Sequence, residues 1–270
     1  MVKKAIIPAA GYGTRSLPIT KVIPKEMFPI DMKPAIHYVV EEAIESGIEE
    51  ILIIVSRTKN LIVDYFDHSL ELEAFLEKQN KTHLLEKEFI PKVRIYYTRQ
   101  SYARGLGDAV YLGKSFVGNE PFAVLLPDDI ILNGTTPAIQ QLVEEYKTYL
   151  QSVIGLNKVE DKHLHKYGVV KGEPLGNRMC KIVDIVEKPK TNPPSNLAVI
   201  GRYVFTPSIF SYLETLTMKE GEEIQLTDAI KKMSTAEACY GKSIEGNRFD
   251  IGSYDDYISL INIMNRPTKD

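Results

Sequence analysis

The sequence predicts an α/β protein: a mostly parallel, mixed sheet covered by helices, with a small antiparallel β flap in its second half. Three observations carry this reading. Two runs, Lys4-Ala5-Ile6-Ile7-Pro8 and Ile51-Leu52-Ile53-Ile54-Val55, are nearly all apolar, as strands buried on both faces are. Between them Ile36, Val39, Val40, Ala43 and Ile44 recur at i, i+3, i+4, i+7 and i+8, the spacing of one buried helix face. Strand, helix, strand is the start of a parallel, helix-covered sheet. From Lys158 onward the texture changes to short β-rich segments separated by Gly, Pro and Asn.

The elements follow in order. Lys33-Pro34 opens the first helix and Gly47 ends it. Residues 60–87 are polar and helical, and read as a surface insertion of two or three short helices. Residues 93–98 are the third strand, rich in β-formers. They run into Gln100, then Gly105-Leu106-Gly107, then a helix over 108–114. Phe122-Ala123-Val124-Leu125-Leu126 is the fourth strand, stopped by Pro127 and followed by Asp128 and Asp129. Thr136-Pro137 begins a helix with Ile139, Leu142, Val143 and Tyr146 inward, and 152–156 is another strand. The flap takes 167–171, 181–187 and Leu197–Phe205. Helices over 207–216 and 224–233 precede a last strand ending Arg248-Phe249-Asp250. Ser253 with Asp256 reads as a capping box for a final helix with Tyr254, Tyr257 and Ile261 on one face.

Composition narrows the function. The chain has 270 residues, 44% hydrophobic and 26% charged, ordinary values for a globular protein. A net charge of −3 gives no basic footprint for a nucleic-acid polymer. No apolar run approaches a membrane span, and the one after Lys3 and Lys4 is too short for a signal-peptide core. Cys180 and Cys239 have no metal spacing and read as reduced thiols of a cytoplasmic protein. His163 and His165, beside Asp161, Lys162 and Lys166, read as a solvated loop.

The first strand breaks into Ala9-Ala10-Gly11-Tyr12-Gly13-Thr14-Arg15, and Pro24-Lys25-Glu26-Met27-Phe28-Pro29 follows. Small residues let the backbone approach a ligand and present N–H groups, while Arg15 and Lys25 add fixed charge. That combination suits a polyphosphate. A dinucleotide fingerprint fails, because Ser16, with Pro18 just beyond, stands where a third glycine or an alanine would open a helix. A P-loop fails too, since Asp108 replaces the first Gly of its nearest approximation. In an open α/β sheet, ligands sit beyond the carboxyl ends of the strands. The glycine loop, Gln100 and the Asp128-Asp129 pair all follow strands, so they converge on one edge.

Gly11-Tyr12-Gly13-Thr14-Arg15 and Pro24-Lys25-Glu26-Met27 resemble the sugar-1-phosphate nucleotidylyltransferases, and within them the bacterial UTP–glucose-1-phosphate uridylyltransferases. Further on, Gly105-Leu106-Gly107, Leu126-Pro127-Asp128-Asp129, Tyr167-Gly168-Val169, Glu187-Lys188-Pro189 and Glu223-Ile224-Gln225-Leu226-Thr227-Asp228 extend the match. The resemblance implies a Rossmann-like fold of the nucleotide-diphospho-sugar transferase type. It forms one domain, with a nucleotide-binding half at 1–156 and a sugar-binding half with the C-terminal helix at 157–270. It implies Mg²⁺-dependent synthesis of UDP-glucose and pyrophosphate from UTP and glucose 1-phosphate. A homodimer is implied as well, although relatives often carry further C-terminal helices and this sequence runs only to Asp270.

Residue by residue, the resemblance makes Arg15 and Lys25 catalytic. It gives the nucleotide to Ala9, Ala10, Gly11, Gly13, Thr14, Glu26, Gln100, Gly105 and Asp129, with sugar contact or loop support as alternatives for Asp129. Gly168, Glu187 and Lys188 take the sugar phosphate, Gly168 by leaving room for the ring. Asp128 and Asp250 hold Mg²⁺, an ion that needs few carboxylates because phosphate oxygens and water complete its shell. Asp108 departs from the resemblance, which has a histidine there; the expected consequence is an altered acid–base environment near the nucleotide. Another triphosphate such as dTTP or CTP, or another hexose phosphate, stays open. So does a catalytically silent sensor, whose signature would be loss of Arg15, Lys25, Asp128 or Asp250.

Overall fold

The structure is a computed structural model, and it describes residues 1–87, 92–216 and 222–265. Strand β1 (Lys4–Pro8) leads into a long loop with three single 3₁₀ turns, at Thr14–Ser16, Ile19–Lys21 and Lys25–Met27. A small hairpin follows, β2 (Pro29–Ile30) and β3 (Lys33–Pro34), then helix α1 (Ala35–Glu45) and β4 (Glu50–Val55). The surface insertion is α2 (Asn60–Phe66), α3 (Leu70–Lys78) and a 3₁₀ segment, Thr82–Lys87, as expected. Next come β5 (Arg94–Arg99), α4 (Leu106–Tyr111), α5 (Lys114–Val117), β6 (Phe122–Leu125), β7 (Asp129–Leu132) and α6 (Ala138–Tyr149). The second half holds β8 (Val153–Lys158), β9 (Gly168–Gly176), β10 (Met179–Glu187) and β11 (Leu197–Phe205). It closes with α7 (Ile209–Glu214), α8 (Leu226–Ala236), β12 (Tyr240–Ser243), β13 (Asn247–Asp250) and α9 (Tyr254–Met264).

Nine strands form one mixed sheet in the order β5-β4-β1-β6-β11-β8-β12-β10-β9. The first four run parallel, so their carboxyl ends share an edge. Strand β11 enters antiparallel between β6 and β8. Each face of the sheet is covered by apolar packing. One core joins Ile7, Ile51 and Leu125 to Val39 of α1, Leu142 of α6 and Leu260 of α9. The other joins Ile6, Val124 and Phe205 to Val110 of α4, Phe210 of α7 and Ile230 of α8.

The β-rich segments do pair antiparallel, as β9 with β10. They are not a separate layer, however. Through β12 and β8 they continue the main sheet, and Leu197–Phe205 lies at its centre with six of its nine residues at 3% exposure or less. The helix expected over 108–114 begins earlier and breaks at Leu112-Gly113, where Gly113 lies against Ile6. Four short strands were not expected: β2 and β3, of two residues each, and β7 and β12, of four each. Ser253 makes no side-chain cap; its N–H donates to the Asp250 carbonyl at 2.8 Å, so a backbone turn starts α9. Tyr254 is 77% exposed, because the first turn of α9 projects outward before Leu260 reaches the core.

Candidate active site

A cleft of about 460 Å³ opens where the first half of the sheet meets the β9–β10 hairpin. Its walls include Arg15, Asp128, Asp129, Arg248 and Asp250 on one side and Tyr167, Gly168, Glu187, Lys188 and Thr227 on the other. It therefore gathers seven of the residues singled out in the sequence: Arg15, Asp128, Asp129, Asp250, Gly168, Glu187 and Lys188. The small residues after β1 and the Gln100–Gly105 segment after β5 lie at the same sheet edge, beyond this cavity's walls. Lys25 reaches the cleft through Asp128.

The two candidate metal ligands converge because β7 and β13 pair antiparallel, with Asp250 directly across from Asp129. The Ile251 N–H then donates to the Asp128 carbonyl at 2.9 Å, tying one turn to the other. The Asp128 turn is gripped from behind by Arg202, whose side chain is wholly buried. Its Nη1 donates to the Leu126 carbonyl at 3.0 Å and its Nη2 to the Asp129 carbonyl at 2.8 Å. Glu42 of α1 neutralises that guanidinium by a two-point contact at 2.8 and 3.0 Å. A paired, hydrogen-bonded buried arginine holds a turn rigidly, and removing one partner would leave a costly uncompensated charge.

Asp128, Asp250, Asp129 and Glu187 each have a cation beside them. Lys25 Nζ lies 2.5 Å from Asp128 Oδ2, and Arg15 Nη1 3.2 Å from Asp250 Oδ2. Arg248 Nη2 and Nε meet Asp129 Oδ1 at 2.5 and 2.7 Å, while its guanidinium stacks 4.7 Å over the Tyr167 ring. Lys188 Nζ lies 3.1 Å from Glu187 Oε1.

Titration follows these pairs. Burial alone would raise the Asp128 carboxyl, but Lys25 outweighs it and holds the group below its ordinary value. Burial would lower Lys25, yet Asp128 and Glu26 raise it. Burial pushes the Asp129 carboxyl up to about 6 against the pull of Arg248, with Asp128 and Asp250 adding to the rise. Burial would lower Arg248 as well, and Asp129 raises it instead.

The structure adds contacts to several of the residues expected at the site. Glu26 is 1% exposed and its Oε2 accepts from the buried Lys59 at 2.6 Å, so the pair ties the loop to the start of α2. That leaves Glu26 almost no surface with which to meet a nucleotide. Asp129, 5% exposed and held by Arg248, fits its alternative role of loop support. A Cβ on Gly168 would lie 2.8 Å from Thr227 Cγ2, so close packing already requires glycine there, whatever room a sugar needs. Gly105 has φ +103, and a Cβ would come within 2.6 Å of the Ile224 carbonyl.

Arg202 was not singled out in the sequence, and Arg248 and Thr227 stood in quoted strings without a role of their own. Thr227 Oγ1 donates to Glu187 Oε2 at 3.0 Å, orienting the hairpin carboxylate from α8. His165 and Lys166 are solvent-exposed, as expected, and they also stand at the cleft rim.

The nucleotidyl transferase family pattern matches residues 4–266. The chain belongs to the nucleotidyl transferase family. It is 59% identical over 269 residues to a Bacillus subtilis (strain 168) protein whose name provisionally gives it as a UTP–glucose-1-phosphate uridylyltransferase. That alignment covers 100% of this chain and 99% of the relative. A UDP-glucose pyrophosphorylase solved with UDP-glucose superposes with a TM-score of 0.86 at 42% identity, covering 97% of this chain and 98% of that one. A UTP-bound UGPase from Acinetobacter baumannii gives a TM-score of 0.90 at 37% identity, over 99% and 95% of the two chains. This nucleotidyltransferase therefore shares its overall fold with them. Among its described residues no helix is long and apolar enough to cross a membrane.

Proposed function

We infer that the protein transfers the UMP group of UTP to glucose 1-phosphate, forming UDP-glucose and releasing pyrophosphate. The observation that carries this is one cleft with two chemically different ends. At one end cations and carboxylates from distant segments interlock, and at the other a hairpin offers Glu187 and Lys188. The related chains solved with UTP and with UDP-glucose support the choice of substrate and product.

In this reading an oxygen of the sugar phosphate attacks the α-phosphorus of UTP. One P–O bond forms, the bond to the β-phosphate oxygen breaks, and pyrophosphate leaves with the electron pair. The nucleophile is already an anion, so no strong base is needed. The protein has to hold two anions in line and stabilise charge on phosphate oxygens. Lys188 meets the sugar's phosphate, and Glu187, held by Thr227, accepts from sugar hydroxyls. Arg15 and Lys25 act on the triphosphate.

Asp128 and Asp250 suit Mg²⁺. Both carry hard oxygen donors on one cleft, and their turns are fixed by backbone bonds. Among the described residues no three His, Cys, Asp or Glu side chains are arranged to hold a metal alone, which fits an ion completed by phosphate and water. Mg²⁺ held by Asp128 and Asp250 would supply neutralisation of phosphate charge. Arg15 and Lys25, paired here with those two carboxylates, are the cations placed to meet the triphosphate. The resemblance also supports a cytoplasmic homodimer, which sedimentation would test.

A pyrophosphate-release assay over UTP, dTTP and CTP with several hexose 1-phosphates tests the reading. UTP with glucose 1-phosphate should exceed every other pair in kcat/KM by about tenfold or more. Another preferred pair would replace these substrates, and no release with any pair would mean a silent sensor.

A further inference from the structure

We propose that Asp108 is a positioning residue that locks the side-chain amide of Gln100, and thereby sets which nucleobase the site accepts. This rests on the preceding reading and on the resemblance, which gives Gln100 to the nucleotide; we set its side-chain amide against the base. Gln100 directly follows β5, its backbone N–H donates to the Val55 carbonyl at 2.9 Å, and the residue is 6% exposed. Its Nε2 donates to Asp108 Oδ2 at 2.7 Å and to the Gly105 carbonyl at 3.2 Å. A primary amide has two N–H bonds, and both are now engaged.

The orientation follows from the partners. A turned amide would set its carbonyl against a carboxylate oxygen and a backbone carbonyl, two acceptors with no proton between them. Asp108 cannot swing away easily, because it is 6% exposed and its Oδ1 lies 3.2 Å from Arg104 Nη2. The segment between is pinned as well. Ile224 N–H donates to the Arg104 carbonyl at 2.7 Å, and Gly107 N–H to the Ile224 carbonyl at 2.8 Å. Rotation of the amide is thus the freedom that remains, and Asp108 removes it.

What Gln100 can still offer is Oε1, an acceptor only. It suits a base with a ring N–H between two carbonyls, the imide of uracil or thymine. Cytosine presents a lone pair at the same ring nitrogen and meets repulsion. Asp108 therefore makes the site selective for imide bases over cytosine without touching the nucleotide.

The test is calorimetric binding of UTP and of CTP, with Mg²⁺ present, to wild type, Asp108→Leu and Asp108→Asn, each checked for a cooperative thermal transition. Wild type should prefer UTP. Asp108→Leu frees the amide, and the UTP-to-CTP affinity ratio should fall about tenfold, the loss coming mainly from UTP. Asp108→Asn keeps a carbonyl oxygen for Gln100 Nε2 and should retain most of the ratio. A purely structural role would weaken both nucleotides alike and leave the ratio unchanged, which overturns the proposal. Should Asp108→Leu fail to fold, Asp108→Ser carries the same comparison, since its hydroxyl is too short to reach the amide. Wild type that binds no UTP would overturn the reading of the cleft itself. An unchanged ratio in a folded variant, with wild type binding UTP, overturns only the role of Asp108.

Discussion

The two ends of the cleft are built on opposite plans. At the nucleotide end the ion pairs join segments far apart in sequence: Lys25 with Asp128 across 103 positions, Arg15 with Asp250 across 235. At the sugar end the pair is Glu187 with its own neighbour Lys188, on the last residue of β10 and the turn beyond. Lys25 and Asp128 have side chains only 15% and 18% exposed, whereas Lys188 is 56% exposed. The first end is held by the fold and in turn holds it. The second is a local motif on a hairpin, with a cation able to swing onto an incoming phosphate. The Arg15 contact falls between, with a 57% exposed cation on a 7% exposed carboxylate.

The largest expected effect breaks that contrast directly. Lys25→Ala should lower kcat by about two to three orders of magnitude with a smaller change in KM, because charge on the phosphates grows in the transition state. It should also lower unfolding stability by about 3 kcal/mol, since Asp128 loses its partner in a mostly buried place. Lys188→Ala should cost activity and leave the urea midpoint nearly unmoved, because its pair is exposed. Equal turnover in Lys25→Ala and wild type, or equal stability losses in the two variants, would erase the distinction between the ends.

A smaller effect sharpens it. Glu187→Gln keeps size and removes charge, so KM for glucose 1-phosphate should rise about tenfold while KM for UTP barely moves. Thr227→Val removes only the hydroxyl that orients Glu187, and the same KM should rise about threefold. Steady-state kinetics with each substrate varied in turn check both. A rise confined to UTP would put Glu187 at the wrong end.

The same difference explains what the sequence discloses. Lys25, Glu187 and Lys188 stand in contiguous strings, so residue type and neighbours point to them. The strand–helix order at the start was legible because burial on both faces leaves apolar runs in the chain. Arg202 leaves no such trace, and Arg248 shows only as part of the strand end Arg248-Phe249-Asp250, with nothing to mark its role. Each is an isolated arginine whose importance comes from partners brought by tertiary pairing, Glu42 for one and Asp129 for the other. Strand β7 was missed for a related reason. It is four residues long, and its meaning lies in pairing with β13 across most of the second half. Asp108 stood out as a departure, but its partners, Arg104 and Gln100, emerge only from the fold. Glu26 is the converse case: it stands inside a strong motif, yet its burial against Lys59 emerges only from the fold.

Whether Asp128 and Asp250 act as one unit is measured most directly by a double-mutant cycle read in kcat/KM and in the Mg²⁺ concentration for half-maximal rate. Asp128→Asn and Asp250→Asn should each lower kcat/KM by about a thousandfold and raise the Mg²⁺ requirement, and EDTA should abolish wild-type activity. Because both carboxylates act through one ion, the double variant should be scarcely worse than either single one. Losses that multiply in the double variant, or a full rate in EDTA, would show that the two carboxylates share no catalytic metal.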